Sequence, residues 1–182
     1  MHTLAPWGRA LTRLVLPLLT AACGGGVSLT PVPPMPSVAG FGPEVEQGVV
    51  RLRAATAPFR DLDAAVVAGY VRDAATCLAH PPHGAMGFHH VNRGYVDARV
   101  EVERPEILTY ERQENGRYVL TGAEYMIPYQ LWPADSTPPT VFGLDLKRAD
   151  NLRLWYLHVW IWKENPAGLF ADWNPAIRCP GG

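Results

Sequence analysis

The sequence predicts an α+β domain in which two N-terminal helices pack on a mainly antiparallel β-sheet. Apolar residues recur at helical spacing over residues 44–56, an Asn-Gly turn separates two strand-like stretches, and an aromatic stretch with period-two alternation lies near the C-terminus. The chain has 182 residues, of which 48% are hydrophobic and 18% charged. This composition is typical of one globular domain with a buried core.

The first helix is predicted over residues 44–56, where one stripe of apolar residues faces the core. This stripe consists of Val45, Val49 and Leu52. Pro58 ends the helix. A second helix is predicted to begin near Asp61, a good N-cap residue, and to run towards Cys77.

The rest of the domain is predicted to be β-structure. Strands are expected over residues 86–92, 106–112, 117–128 and 152–163. Asn115-Gly116 is a strong signal for a hairpin with a two-residue turn. Such a turn places Ile107 opposite Glu124 and Tyr110 opposite Thr121.

The faces of this hairpin follow from the same register. Val119 is then expected on the face that carries Tyr110, and Leu120 on the opposite face with Ile107. Because both faces carry apolar residues, we expect the hairpin to be covered on both sides.

Residues 1–22 have the pattern of a secretory signal peptide. Two arginines precede a short apolar stretch at residues 14–19, and small residues precede Cys23. The apolar stretch is much shorter than the ~20 residues that a membrane-spanning helix needs. We therefore expect an exported protein, with residues 23–43 as a glycine- and proline-rich tether and residues 44–182 as the globular domain.

The end of this signal indicates a lipid anchor. The segment from Leu19 to Cys23 resembles the lipobox of bacterial lipoproteins, in which the cysteine takes a diacylglycerol and becomes the new N-terminus. The resemblance implies a protein held at a membrane of the cell envelope through Cys23. The alternative is ordinary cleavage after Ala22, which leaves Cys23 as a plain thiol on a soluble periplasmic or secreted protein.

The cysteine count agrees with export. Once Cys23 is lipidated, Cys77 and Cys179 remain as one pair. In an oxidising compartment we expect a disulfide between them, with two separate buried thiols as the alternative.

The net charge excludes one class of partner. With 16 basic and 17 acidic residues, the chain has no excess of positive charge. Nucleic-acid-binding domains need such an excess to neutralise phosphates, so we expect no nucleic-acid partner. Membrane attachment would also depend on acyl chains rather than on a polybasic surface.

The aromatic strand near the C-terminus suggests a binding pocket. Period-two alternation places four side chains on one face, namely Tyr156, His158, Trp160 and Trp162. Aromatic walls around one polar group are typical of small-ligand sites. The alternative is a core histidine whose ring nitrogens are satisfied by neighbouring groups.

Other polar residues are candidates to join His158. His89 and His90 lie on another predicted strand, and adjacent residues point to opposite faces, so only one of them can take part. Glu124 lies in the middle of an apolar strand, where a carboxylate needs a partner. Two histidines and one carboxylate would suit Zn²⁺, Fe²⁺ or Mn²⁺.

Two stretches carry a wider resemblance. Gly84–Asn92 and the segment from Leu157 to Cys179, with its Asn-Pro turns, resemble a family of exported bacterial proteins of unknown function. The resemblance implies that five residues are family positions: Cys77, His89, Glu124, His158 and Cys179. It favours His89 over His90 as the partner of His158, and it implies no activity.

Three functional hypotheses follow. The first is an exported lipoprotein domain that binds a small ligand or a metal in an aromatic-lined pocket. The second is a metal-dependent enzyme that uses His89, Glu124 and His158. The third is a structural envelope protein in which these residues are satisfied core groups. The sequence lacks the motifs of serine hydrolases and nucleotide-binding enzymes, so the question of catalysis stays open.

Overall fold

The computed structural model describes residues 2–3, 31–73 and 76–180. The predicted signal peptide, apart from residues 2–3, and the predicted lipid attachment at Cys23 lie outside these residues. Pro33–Gly182 form one compact unit, to which the following description applies. None of the helices in the described ranges is both long enough and apolar enough to cross a bilayer.

The helical part consists of one long segment and one short helix. Helix α1 spans Pro43–Thr56 and continues directly into a 3₁₀ turn at Ala57–Arg60. Its core-facing stripe is the expected one, because Val45, Val49 and Leu52 are buried. The side chain of Asp61 caps helix α2, Leu62–Val67, by accepting a hydrogen bond of 3.0 Å from the backbone N–H of Asp63.

Helix α2 is shorter than predicted. It ends at Val67 instead of running towards Cys77. Gly69 adopts a positive φ of 100°, which a right-handed helix cannot contain, and the chain then enters the sheet as strand β1.

The sheet is antiparallel throughout and is formed by strands from both halves of the domain. The strands are β1 Tyr70–Arg72, β2 Leu78–His80, β3 Gly84–Asn92, β4 Ile107–Arg112, β5 Tyr118–Pro128, β6 Thr140–Val141, β7 Leu144–Asp145, β8 Lys147–Ala149 and β9 Leu154–Val159. The order in the main sheet is β1-β3-β4-β5-β9-β8, with β2 also paired to β3, while β6 and β7 form a separate ribbon. A mixed fold with a mainly antiparallel sheet is thus confirmed.

The β4–β5 hairpin has the expected register at one end only. Ile107 lies opposite Glu124, as predicted, but Tyr110 lies opposite Leu120 rather than Thr121. Thr121 is the extra residue of a β-bulge, and its hydroxyl donates a hydrogen bond of 2.9 Å to the carbonyl of Thr109.

This bulge reverses the predicted faces of the strand beyond it. Leu120 is buried opposite Tyr110, whereas Val119 is 39% exposed. The turn is correspondingly longer, because the N–H of Gln113 donates to the carbonyl of Arg117 and Gly116 has a φ of 82°. This is a three-residue loop with glycine in the left-handed region, not the predicted two-residue turn.

The main core lies on one side of the sheet, which we call the helix face. It combines the apolar stripe of α1 with the inward residues of the central strands, among them Leu108, Tyr110, Ala123, Tyr125, Leu157 and Val159. By alternation, Glu124 and His158 belong to the opposite side, which we call the outer face. There a smaller cluster joins Ala85 to Trp160 and Ile177 of the C-terminal segment, residues 160–180.

Strand β9 ends at Val159, four residues before the predicted end at Lys163. The backbone N–H of Trp160 donates to the carbonyl of Leu169, and that of Trp162 donates to the carbonyl of Thr121. These bonds turn the chain away from the ladder and start the C-terminal segment.

The expected disulfide is confirmed. The Cα atoms of Cys77 and Cys179 are 5.6 Å apart and the two sulfur atoms are bonded. The bond links the chain just before β2 to the end of the C-terminal segment.

Part of the predicted tether is folded onto the domain. The guanidinium of Arg53 donates to the carbonyls of Pro33 and Pro34, and Phe41 packs edge-on against Phe170 at 5.2 Å. The compact unit therefore begins at Pro33, within the range 23–43 that the sequence assigned to the tether.

Candidate functional site

Three neighbouring strands bring the predicted polar residues to one region of the outer face. Glu124 on β5 lies directly opposite His158 on β9. His89 on β3 reaches Glu124 across β4, with its Nε2 atom 3.1 Å from Oε2 of the carboxylate. The side chains of His89 and Glu124 are 13% and 10% exposed, so this pair meets solvent only along its edge.

His158 lies deeper than this pair. It is 0% exposed, and within the described residues neither Nδ1 nor Nε2 has a hydrogen-bond partner. The indole of Trp160 stacks on the imidazole with the ring centroids 4.3 Å apart, and its own Nε1 donates to the carbonyl of Ala171 at 2.7 Å. His158 is therefore closed in by the C-terminal segment.

Gly122 provides the space that the His158 ring occupies. A Cβ atom at this position would lie 2.6 Å from the carbonyl oxygen of Val159 and 3.4 Å from Nε2 of His158. A side chain cannot be added there without moving backbone. The hydroxyl of Thr109 borders the same space, 3.2 Å from the position of that Cβ.

Glu124 and His158, the two ionisable groups at the centre of the site, both have lowered pKa values. Burial alone would raise the pKa of Glu124, but the hydrogen bond and electrostatic effect of His89, with further electrostatic effects of His158 and Lys147, outweigh burial and lower that pKa below its usual value. Burial lowers the pKa of His158 to about 4, although the nearby carboxylate acts in the other direction. At neutral pH the site thus combines an ionised carboxylate with a neutral imidazole.

Three further polar residues border the cluster: Tyr156 on β9, Lys147 on β8 and Asp172 in the C-terminal segment. The hydroxyl of Tyr156 donates to Oδ2 of Asp172 at 3.1 Å. Nζ of Lys147 lies 2.5 Å from Oδ1 of the same carboxylate and 2.8 Å from the carbonyl of Phe170. Burial raises the pKa of Tyr156 to about 12, so its hydroxyl keeps its proton at neutral pH.

The predicted aromatic row is divided between the two faces. Tyr156 and Trp160 accompany His158, but Trp162 does not. Its Nε1 donates to the hydroxyl of Thr56 at 2.9 Å, and the guanidinium of Arg53 lies 4.2 Å from its ring centre. The reason is that β9 ends at Val159, so the alternation does not extend to residue 162. Because Trp160 and His158 are fully buried, these rings form a packed wall instead of an open pocket.

The register of the sheet determines which of the adjacent residues His89 and His90 joins the site. His90 lies opposite Leu108, on the helix face, where its ring meets Tyr110 edge-on at 4.8 Å. Burial lowers the pKa of His90 to about 4. His89 is the one of the two that contacts Glu124.

The described residues of the site do not form a complete set of metal ligands. Within residues 31–73 and 76–180, no group of three or more His, Cys, Asp or Glu side chains is positioned to hold a metal ion. The contact between His89 and Glu124 supplies two of the three ligands that the Zn²⁺, Fe²⁺ or Mn²⁺ interpretation requires.

Sequence reasoning did not find several residues of this site. Gly122 had a signal, because a glycine inside a strand often marks a close approach of another group. Lys147 and Asp172 had none, since a short edge strand and an irregular loop bring them to Tyr156.

Comparison with known proteins adds no relative. No family model, no curated protein and no solved structure matches the chain. The resemblance to exported bacterial proteins therefore stays a prediction, and the functional argument depends on the geometry of the site.

Proposed function

We propose that the protein is an exported, lipid-anchored envelope domain that binds a small polar ligand at the His89–Glu124–His158 cluster. One observation carries this proposal: His158 is fully buried, and both of its ring nitrogens lack a partner among the described residues. Buried polar groups are nearly always hydrogen-bonded, and leaving one unsatisfied costs about 1–3 kcal/mol. A bound ligand that hydrogen-bonds to the imidazole would remove this cost.

The chemistry of the cluster defines the ligand. A neutral imidazole offers one N–H donor and one acceptor, and an ionised carboxylate only accepts. A complementary ligand carries hydroxyl, amide or amine donors next to an acceptor, and it bears no negative charge. The stacked indole of Trp160 gives the site one flat apolar wall.

Access to the cluster requires movement of the C-terminal segment. His158 is sealed below Trp160, and the edge of the His89–Glu124 pair is the part that meets solvent. Between Val159 and the disulfide at Cys179, the segment contains no helix and no strand longer than a single bridge residue. Opening it would break the hydrogen bond between Trp160 and Ala171 and expose the ring of Trp160.

Native mass spectrometry of protein isolated from the cell envelope tests this proposal. We expect the wild type to carry a bound small molecule, and we expect Glu124→Gln and His158→Gln to lose it. His83→Ala, at an exposed position, is the matched control and should keep it. If the variants lose stability but all forms have the same bound mass, the cluster is only structural.

The same preparations test a metal. Zn²⁺ or Mn²⁺ alone can be added to protein that has been treated with a chelator. Our proposal predicts no stoichiometric metal that depends on all three residues. One equivalent of metal that is lost from His89→Ala, Glu124→Gln and His158→Gln alike would favour a metal site formed by rearranged side chains.

The anchor is tested separately. The disulfide between Cys77 and Cys179 agrees with folding in an oxidising compartment. Cells labelled with a radioactive fatty acid should transfer label to the wild type but not to Cys23→Ser. Label of equal intensity in both proteins would contradict lipid attachment at Cys23.

A further inference from the structure

The last part of the predicted tether packs against the C-terminal segment. We call residues 33–42 the strap, and they belong to the same compact unit as the rest of the domain. The strap contains no helix or strand and joins α1 through Gly40 and Gly42, whose φ values are 89° and 90°. Nothing lies within 4 Å of a Cβ atom built on either glycine. The junction therefore has open space around it, and the strap can move there without displacing α1.

The buried guanidinium of Arg53 connects the strap to the start of the C-terminal segment. It donates to three backbone carbonyls, those of Pro33 and Pro34 in the strap and that of Ile161 in the segment. It also lies 4.2 Å from the ring centre of Trp162. If the strap moved away, Arg53 would lose two of these three acceptors. Water would then have to enter beside Ile161 and Trp162 to satisfy its donors.

A second contact joins the strap to the middle of the segment. The ring of Phe41 packs edge-on against Phe170 with the centroids 5.2 Å apart. The next residue, Ala171, accepts the hydrogen bond from the indole of Trp160. That indole stacks on the imidazole of His158 and covers it. The strap therefore touches the residue adjacent to the one that holds this cover in place.

The far end of the segment is fixed independently of the strap. The disulfide attaches Cys179 to Cys77. Ala85 and Asn174 form a single antiparallel bridge by exchanging two backbone hydrogen bonds of 3.1 Å. Release of the strap would consequently loosen residues 160–173 and leave residues 174–180 attached to the sheet.

We propose that the strap controls access to the candidate site: it keeps the C-terminal segment closed over His158, and its release opens the segment. The purpose of this opening rests on the proposed function, whereas the closure itself can be measured without a ligand. Along the chain, the strap lies between Cys23 and α1. Tension on a lipid anchor at Cys23 would therefore act on the strap before it acted on the rest of the domain.

Labelling of histidines with diethyl pyrocarbonate, located by mass spectrometry, measures the opening. The reagent acylates any neutral imidazole that it can reach. Burial lowers the pKa of both His158 and His90 to about 4, so both rings are neutral at neutral pH. Both are also buried, on opposite faces of the sheet. His158 therefore reports opening of the segment, His90 reports unfolding of the domain, and the exposed His83 calibrates the reagent.

Two strap residues of equal exposure provide a matched pair of variants. Phe41 and Met35 are each 45% exposed, and Phe41 packs on Phe170. Because Phe41→Ala removes this aromatic contact, we expect it to raise the rate of His158 labelling by about threefold to tenfold. Met35→Ala should leave that rate unchanged. The rate of His90 labelling should equal that of the wild type in both variants.

Deletion of residues 33–41 from the full chain removes the strap and keeps Gly42 before α1. We expect a larger increase in His158 labelling than in Phe41→Ala. Wild-type rates at His158 in both Phe41→Ala and the deletion would overturn the proposal. An equal rise at His90 in Phe41→Ala would also overturn it, because the whole domain would then have loosened. A wild type without a bound small molecule would reject the ligand proposal but would not change these labelling rates.

Discussion

At the scale of single residues, Gly122 links the fold to the candidate site. We expect Gly122→Ala to lower the free energy of unfolding by about 1–3 kcal/mol, because its Cβ would lie 2.6 Å from the carbonyl oxygen of Val159. Urea denaturation monitored by circular dichroism measures this change. Gly94→Ala is the control, since the nearest atom there is a side-chain oxygen of Asn92 at 3.3 Å. Equal stability of the Gly122 variant and wild type would contradict the close approach.

The buried carboxyl group of Glu106 should give the stability of the protein an unusual pH dependence. Its carboxyl group is buried, and burial raises its pKa to about 8, whereas the unfolded carboxyl titrates near about 4.3. The unfolded chain therefore loses this proton at a lower pH than the folded protein. The resulting contribution to stability is complete below the unfolded pKa and is lost as the pH rises towards 8.

Glu106→Gln isolates this contribution. Glutamine is isosteric and can still accept the hydrogen bond that the N–H of Met126 donates to Oε2 at 3.0 Å. Relative to the wild type, we expect the variant to gain stability between pH 5 and pH 8, as measured by urea midpoints at each pH. A constant difference over this range would show that the wild-type carboxyl titrates normally.

At the scale of elements, α1 derives its stability from one buried stripe. Leu52 is fully buried in the main core, whereas Val50 on the same helix is 58% exposed. We expect Leu52→Ala to cost about 2–5 kcal/mol and Val50→Ala to stay within about 0.5 kcal/mol. Chemical denaturation of both variants compares the two positions. Similar losses in the two variants would contradict packing of this stripe on the sheet as the source of the stability of α1.

The β4–β5 hairpin shows which part of an element the sequence could predict. The Asn-Gly pair located the turn correctly, and the pairing of Ile107 with Glu124 followed from it. The bulge at Thr121 was not predictable, because it depends on a hydroxyl contact to Thr109 and on two backbone donors from the C-terminal segment. A single extra residue then exchanged the faces of Val119 and Leu120.

At the scale of the whole molecule, the disulfide joins two distant parts of the chain. Cys77 and Cys179 are 102 residues apart in sequence. We expect the double variant Cys77→Ala/Cys179→Ala to lose about 2–5 kcal/mol of unfolding free energy. Thermal and urea denaturation measure this loss, and a reducing agent should lower the stability of the wild type but not of the variant. Unchanged midpoints in the variant would show that core packing alone holds the C-terminal segment.

The candidate site was predictable only where local pattern decides side-chain direction. Alternation placed His158 in an aromatic row and allowed only one of His89 and His90 to join it, whereas the pairing of Glu124 with His158 and the contact with His89 come from the sheet. Trp162 was assigned to the same row because the predicted strand extended to Lys163. The end of β9 at Val159 depends on hydrogen bonds to the carbonyls of Leu169 and Thr121, which the local sequence pattern does not reveal. The contacts of Tyr156 with Asp172 depend on the path of an irregular segment, which leaves no periodic signal.

The imidazole of His158 provides the most direct test of the proposed binding role. A high-resolution crystal structure of protein isolated from the envelope would show what lies beside its two ring nitrogens. Our account predicts density for a bound small molecule within about 3.2 Å of at least one of them. Continuous packing of protein atoms around an unpartnered ring, or a lone water molecule there, would contradict it.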